Sequence, residues 1–163
     1  MSFTPSKSLK TSVAELLTHY PKDQQRSASL MVLHAIQEEQ GYVKRDAMEW
    51  AAGELGLKPM NLYELVTFYP MLREEPAGKN VLKICRTLSC TMAGGRELHQ
   101  HICNKLRLDS QKHGLQTSAN GQFSVEFAEC LASCGTGPVM MCNDDFYEAV
   151  SHEQADEIME ARE

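Results

Sequence analysis

The chain has 163 residues, is 42% apolar and carries a formal net charge of −6. That length suits one ordinary domain or two small ones, and the apolar fraction is that of a folded protein rather than a disordered one. Lys and Arg are nowhere clustered and no apolar run reaches membrane-spanning length, so neither a nucleic-acid partner nor direct membrane insertion is expected.

The first half reads as helices on short connections. Thr11 or Ser12 is expected to cap the first, with Val13, Leu16, Leu17 and Tyr20 on one face and Pro21 as its stop. A longer helix is expected from Asp23 to Gln40, with Ala28, Met31, Val32, Ala35 and Ile36 inward and Gly41 after it. Asp46 then caps a third, carrying Ala47, Trp50, Ala51 and Leu55 and ended by Gly56; Met31 and Trp50 read as core. Pro59 opens a fourth, with Leu62, Leu65, Val66 and Tyr69 on one side and Pro70 at its end. Four amphipathic helices predict a small bundle.

The polar stretch from Arg73 to Asn80, with Pro76 and Gly78 inside it, reads as a linker. Val81 to Cys85 follows as a buried strand, and Gly95 to Leu108 as a helix with Leu98, Ile102 and Leu106 inward. Asn120-Gly121 is a strong hairpin signal, and Phe123, Val125 and Phe127 alternate after it. Val139 to Cys142, a polar Asn-Asp-Asp turn, Phe146 to Val150 and a helix started by Ser151 complete the chain. The order strand, helix, strand, hairpin, helix is that of a thioredoxin-like sandwich. The fold class is therefore α+β: a helical bundle domain over 1–78 and a thioredoxin-like α/β domain over 79–163.

The start of the chain lacks the hydrophobic core of a signal peptide, so a cytoplasmic location with reduced thiols is expected. Six cysteines in that setting point to metal or redox chemistry. Cys85-Arg-Thr-Leu-Ser-Cys90 is C-x4-C and Cys130-Leu-Ala-Ser-Cys134 is C-x3-C. Two such tight turns can supply two thiolates to each iron of a binuclear cluster, Cys85 with Cys90 and Cys130 with Cys134. The small and hydroxylated residues around them, among them Thr87, Ser133 and Gly137, would let backbone N–H groups approach the sulfurs. Lys83 and Arg86 are candidates for offsetting the cluster's charge. Spacing alone leaves a structural zinc ion open, although zinc knuckles favour C-x2-C, and leaves a disulfide pair open as well. Cys103 and Cys142 read as buried small hydrophobes; His99 and Cys103, one helical turn apart, lack further ligands. No nucleotide-binding glycine motif is present, so the chain reads as one part of a larger complex, without a catalytic site of its own.

Further residues carry a resemblance. They are Tyr20-Pro21 with Arg26-Ser27-Ala28, Gln37-Glu38-Glu39-Gln40-Gly41-Tyr42-Val43 and Leu62-Tyr63-Glu64-Leu65-Val66-Thr67-Phe68-Tyr69. In the second half they are Cys85-x4-Cys90 with Gly94, Cys130-Leu131-x-x-Cys134-x-x-Gly137-Pro138, and Asn143-Asp144-Asp145-Phe146-Tyr147-Glu148. From Tyr20 to the C terminus the chain resembles the 24-kilodalton-type (E-type) flavoprotein subunit of bacterial NADH–quinone oxidoreductase, respiratory complex I. The resemblance implies one [2Fe–2S] cluster on Cys85, Cys90, Cys130 and Cys134, in a ferredoxin domain of thioredoxin type. It implies docking on a larger flavoprotein subunit that holds FMN and the NADH site, among other peripheral-arm subunits. The cluster would exchange single electrons with that flavin in an NADH dehydrogenase module on the cytoplasmic side, peripheral to the inner membrane. Equivalent subunits of NAD-linked hydrogenases and formate dehydrogenases share these motifs, and a zinc-stabilised structural adaptor is the alternative of another class. Two residues depart from the family pattern: Ala132 where glycine is usual, and Ser133 where alanine is frequent. The Ser133 hydroxyl is expected to donate to a cluster sulfur and raise its potential. Tyr63, Phe68 and Tyr69 are expected either to pack the bundle or to form the docking surface.

Overall fold

A computed structural model describes residues 3–162 of the chain. It forms two compact units, divided between Pro76 and Ala77.

The first unit contains α1 (Lys7–Thr18), a 3-10 turn (Gln25–Ala28), α2 (Ser29–Gln40), α3 (Arg45–Leu55) and α4 (Pro59–Phe68). Helix α1 begins a full turn before Thr11, because Ser6 is a working cap whose Oγ accepts the Leu9 N–H at 3.0 Å. The extra turn brings Leu9 into the core beside Val13. The helix expected from Asp23 is broken at Ser29, whose hydroxyl donates to the Arg26 carbonyl at 2.7 Å. Asp46 lies inside the first turn of α3, after the cap position at Lys44, where its charge still suits the positive end of the helix. Gly41 and Gly56 end α2 and α3 as expected, both in the left-handed region.

Val32, Leu33 and Ile36 form the buried face of α2, and they meet Ala47, Ala51 and Leu55 of α3 and Leu62 and Val66 of α4. Met31 is 47% exposed and is not core, since Leu33 occupies the inward position instead. Trp50 is half-buried against the core, with the Phe3 ring 5.6 Å away. Tyr63 and Tyr69 also pack on this core, whereas Phe68 is 77% exposed. The amide of Gln37 pins the chain leaving α4: it donates to the Met71 carbonyl at 2.7 Å and accepts from the Arg73 N–H at 2.8 Å.

The second unit contains β1 (Asn80–Cys85), α5 (Leu88–Met92), α6 (Gly95–Leu106), β2 (Gln116–Thr117), β3 (Phe123–Ala128), β4 (Met140–Cys142), β5 (Asp145–Tyr147) and α7 (His152–Glu160). Among the described residues these strands form one sheet in the order β2-β3-β1-β4-β5. The central pair β1 and β3 is parallel, with Leu82 opposite Val125, and the other pairs are antiparallel. Leu82, Ile84, Phe123, Val125 and Met140 from the sheet pack with Leu98 and Ile102 of α6 and Met159 of α7. Each of these large side chains contributes about 1.5–3 kcal/mol on burial. The expected linker ends early, because the Gly78 N–H donates to Ser124 Oγ at 2.7 Å and the Lys79 N–H to the Gly121 carbonyl at 3.1 Å. The hairpin at Asn120-Gly121 closes with the Ser118 N–H donating to the Phe123 carbonyl at 2.8 Å.

Two further features of the second unit differ from expectation. Leu88–Met92, which begins inside the C-x4-C turn and runs past it, is helical, so Cys90 sits in the middle of α5. Strand β5 ends at Tyr147, because the Ala149 and Val150 N–H groups donate instead to the carbonyls of Thr136 and Pro138 at 2.7 and 3.0 Å. Those bonds tie the end of β5 to the loop after Cys134.

Ser151 caps α7 in a full capping box with Gln154. Removing that cap in Ser151→Ala is expected to cost about 1 kcal/mol, read as a lower urea midpoint with an unchanged slope.

Candidate metal centre

Strand β1 delivers Cys85 at its carboxyl end, where the Cys85 N–H donates to the Val139 carbonyl at 3.0 Å. The chain turns at Arg86 and Thr87, and α5 carries Cys90 back beside Cys85; both thiols are buried. Parallel β3 leaves the same edge of the sheet and continues into the loop that holds Cys130 and Cys134, both exposed. The topology thus sets the two cysteine turns next to each other. Leu131 packs with Cys85, Cys90 and Val139, and α5 packs on the Cys134–Thr136 turn.

Hydrogen-bond donors converge on the sulfurs. Burial pushes the Cys85 thiol up, but the Thr87 hydroxyl and the backbone N–H groups of Thr87 and Leu131 outweigh it and hold it below its ordinary value. The Thr87 oxygen is 3.1 Å from Cys85 Sγ. The Cys90 thiol ends on the other side of its ordinary value: burial pushes it up, helped by Cys85 and by the nearby Cys85 and Cys134 charges, and the Val139 backbone opposes the rise. The Ala132 N–H donates to Cys130 Sγ at 3.4 Å. Of the expected site residues, Cys85 and Cys90 therefore pack together in one buried cluster, Cys134 lies within electrostatic reach of Cys90, and Cys130 stays on the exposed side of its loop.

Glycines make room at this centre. A Cβ at Gly137 would stand 3.5 Å from Cys90 Sγ and 3.2 Å from the Ala93 Cβ. A Cβ at Gly95 would meet the Cys90 and Cys85 carbonyl oxygens at 2.8 and 3.0 Å. The absence of a side chain at Gly95 therefore lets α6 press against the cysteine turn.

Ala132 has φ 58°, in the left-handed region that favours glycine. Ala132→Gly is expected to relieve a strain of about 1 kcal/mol, partly offset by the freer unfolded chain. The check is a modest rise in the urea midpoint.

Several supporting roles are corrected. The Ser133 hydroxyl does not reach a sulfur: it binds the Glu148 carboxylate, and Thr136 Oγ1 is 2.7 Å away. A carboxylate is a strong acceptor, and these two hydroxyls hold Glu148 below the usual carboxylate range. Lys83 and Arg86 are paired with Glu126 and Glu129, so neither is free to offset a cluster's charge. Cys103 and Cys142 are fully buried, and burial pushes the Cys103 thiol up to about 11, with the Asp109 charge adding to the rise. His99 lies 3.6 Å from Cys103 Sγ and stacks on Phe127 at 3.8 Å, a packed arrangement.

The donor set fits an iron–sulfur cluster. All six cysteines are free, the two turns supply thiolates in pairs, and N–H and hydroxyl donors face the sulfurs. Among the described residues no three His, Cys, Asp or Glu side chains stand close enough to hold a single metal ion. A binuclear cluster asks for only two protein sulfurs on each iron.

The comparisons agree with this chemistry. The chain is 33% identical over 133 residues to the NADH-quinone oxidoreductase subunit 2 of Thermus thermophilus, covering 82% of this chain and 71% of that one. It is 31% identical over 147 residues to the E-type NADH-quinone oxidoreductase subunit of Rickettsia bellii, covering 90% and 86%. The fold resembles part of an NAD+-reducing [NiFe]-hydrogenase in the H2-reduced state, with a TM-score of 0.64 at 18% identity. That match covers 78% of this chain but 21% of the hydrogenase chain. The model of the thioredoxin-like [2Fe-2S] ferredoxin family matches residues 13–163, and with relatives of this identity over most of its length the chain belongs to that family.

Proposed function

We propose that this chain is the [2Fe–2S] electron-transfer subunit of an NADH–quinone oxidoreductase, with Cys85 and Cys90 holding one iron and Cys130 and Cys134 the other. The observation that carries the reading is the convergence of the two cysteine turns, with Leu131 of one packed against Cys85 and Cys90 of the other. The relatives at 31–33% identity, which bear the names of NADH-quinone oxidoreductase subunits, favour this complex. The hydrogenase likeness, at 18% identity, speaks for the fold alone.

A bound cluster of this type takes up and releases one electron at a time. The protein's own part is to shape the environment of the sulfurs. The N–H groups of Thr87, Leu131, Val139 and Ala132 and the Thr87 hydroxyl stabilise negative charge there, which raises the potential. Val139, fully buried, and half-buried Leu131 exclude water from the Cys85 and Cys90 side. Cys130 and Cys134 stay exposed, on the side where a partner can come close.

In this reading the electron partner is FMN on a flavoprotein subunit that also binds NADH, in the peripheral arm on the cytoplasmic side. Among the described residues no helix is long and apolar enough to cross a membrane. Phe68 is the exposed aromatic of the first unit that such a partner would cover. The test is anaerobic mixing of cluster-loaded protein with NADH, with and without the flavoprotein, followed by EPR. Reduction by NADH only when the flavoprotein is present is expected. Reduction by NADH alone, or none with the partner bound, would contradict the assignment.

A further inference from the structure

A cavity of about 350 Å³ opens in the second unit, lined by Arg86, Arg96, His99, Lys112, His113 and Phe127 among others. Its size falls in the range of small-molecule sites. The cavity lies at the carboxyl ends of parallel strands β1 and β3, beside the first turn of α6, the edge where open α/β sheets take their ligands. The lining is basic, although the chain as a whole carries a net charge of −6.

The charges are not all spoken for. Glu129 neutralises Arg86, and the Asp109 carboxylate accepts the Gln111 N–H at 2.9 Å in the loop that brings Lys112. Among the described residues, no carboxylate comes within 4.0 Å of Arg96 or Lys112. Two unpaired cations from separate elements therefore face one concave space, with the Phe127–His99 stack as a wall. Burial pushes the His99 imidazole down, so that wall is uncharged near neutral pH.

We propose that this cavity binds the phosphate or diphosphate group of a small molecule, with Arg96 and Lys112 as the charge-bearing contacts. A guanidinium forks onto two phosphate oxygens and an ammonium adds a point charge, which is the pairing multivalent oxyanions favour. The site is separate from the four candidate cluster ligands. It stands or falls independently of the electron-transfer reading.

Inorganic pyrophosphate titrated calorimetrically into the full, cluster-loaded chain at low ionic strength provides the test. One saturable site is expected, weakened at least about tenfold in Arg96→Gln and in Lys112→Gln, and weakened less in Arg96→Lys, which keeps the charge but loses the fork. Both side chains are on the surface, so iron content and melting temperature should match the parent. No saturable binding, or binding indifferent to both substitutions, would overturn the proposal. So would loss of flavoprotein binding in the two variants with no pyrophosphate bound by the parent, which would make the cavity a seat for a partner's carboxylates.

Discussion

Replacing Cys130 or Cys134 by alanine is expected to abolish cluster binding while leaving the fold intact. Both thiols are exposed, so truncation removes almost no buried surface and creates no cavity. Each nevertheless supplies one of the four proposed thiolates. Loss of groups that merely orient a ligand already costs about 10–100-fold in metal affinity, and loss of the ligand itself must cost more. Iron content should fall from about two atoms per chain to near zero, with the melting temperature of the cluster-free protein unchanged. Cys103→Ala is the control with the opposite signature. That thiol is fully buried in the second core and has no part in the cysteine turns, so its truncation should cost about 1–2 kcal/mol and leave iron content alone. Iron assays on the three variants, set beside thermal melts of their cluster-free forms, separate the two behaviours.

Gly95→Ala is expected to damage both stability and cluster retention. A Cβ there would lie 2.8 Å from the Cys90 carbonyl oxygen and 3.0 Å from that of Cys85. Both neighbours are backbone atoms, so no side-chain rotation relieves the clash. Either α6 moves away from the sheet, uncovering Leu98 and Ile102, or the turn bearing Cys85 and Cys90 shifts. Overpacking of this kind costs about 1–3 kcal/mol, which lowers the melting temperature of a domain of this size by roughly 5–20 °C. Gly94→Ala is the useful comparison, because a Cβ there meets nothing within 4 Å and the expected penalty is the backbone strain of φ 98° alone.

Much of the fold was legible because the signals are local. Gly41 and Gly56 ending helices, the Ser151 cap, the Asn120-Gly121 turn and the alternation of Phe123 and Val125 each report on a few neighbouring residues. The cysteine pairs are visible for the same reason, as two short spacings. What escaped is short or long-range. Five residues are too few for helical periodicity, which hid α5. An unassuming Ser6 carried α1 back a turn, and Met31 and Leu33 compete for the inward place on α2 in a way only packing decides. At the centre, the directing groups come from distant parts of the chain. Nothing near Cys85 announces that Leu131 will pack against it, nor that Glu148 will claim the Ser133 hydroxyl. The basic cavity is illegible for the same reason, since Arg86, Arg96, Lys112 and Phe127 come from four separate segments.

The account rests on the two cysteine turns holding a [2Fe–2S] cluster, and the most direct test is anaerobic purification with iron and acid-labile sulfide assays and EPR after dithionite reduction. The prediction is about two irons and two sulfides per chain with a rhombic signal in the reduced state. A colourless protein that binds one zinc ion and stays without a cluster after reconstitution with iron and sulfide would contradict it.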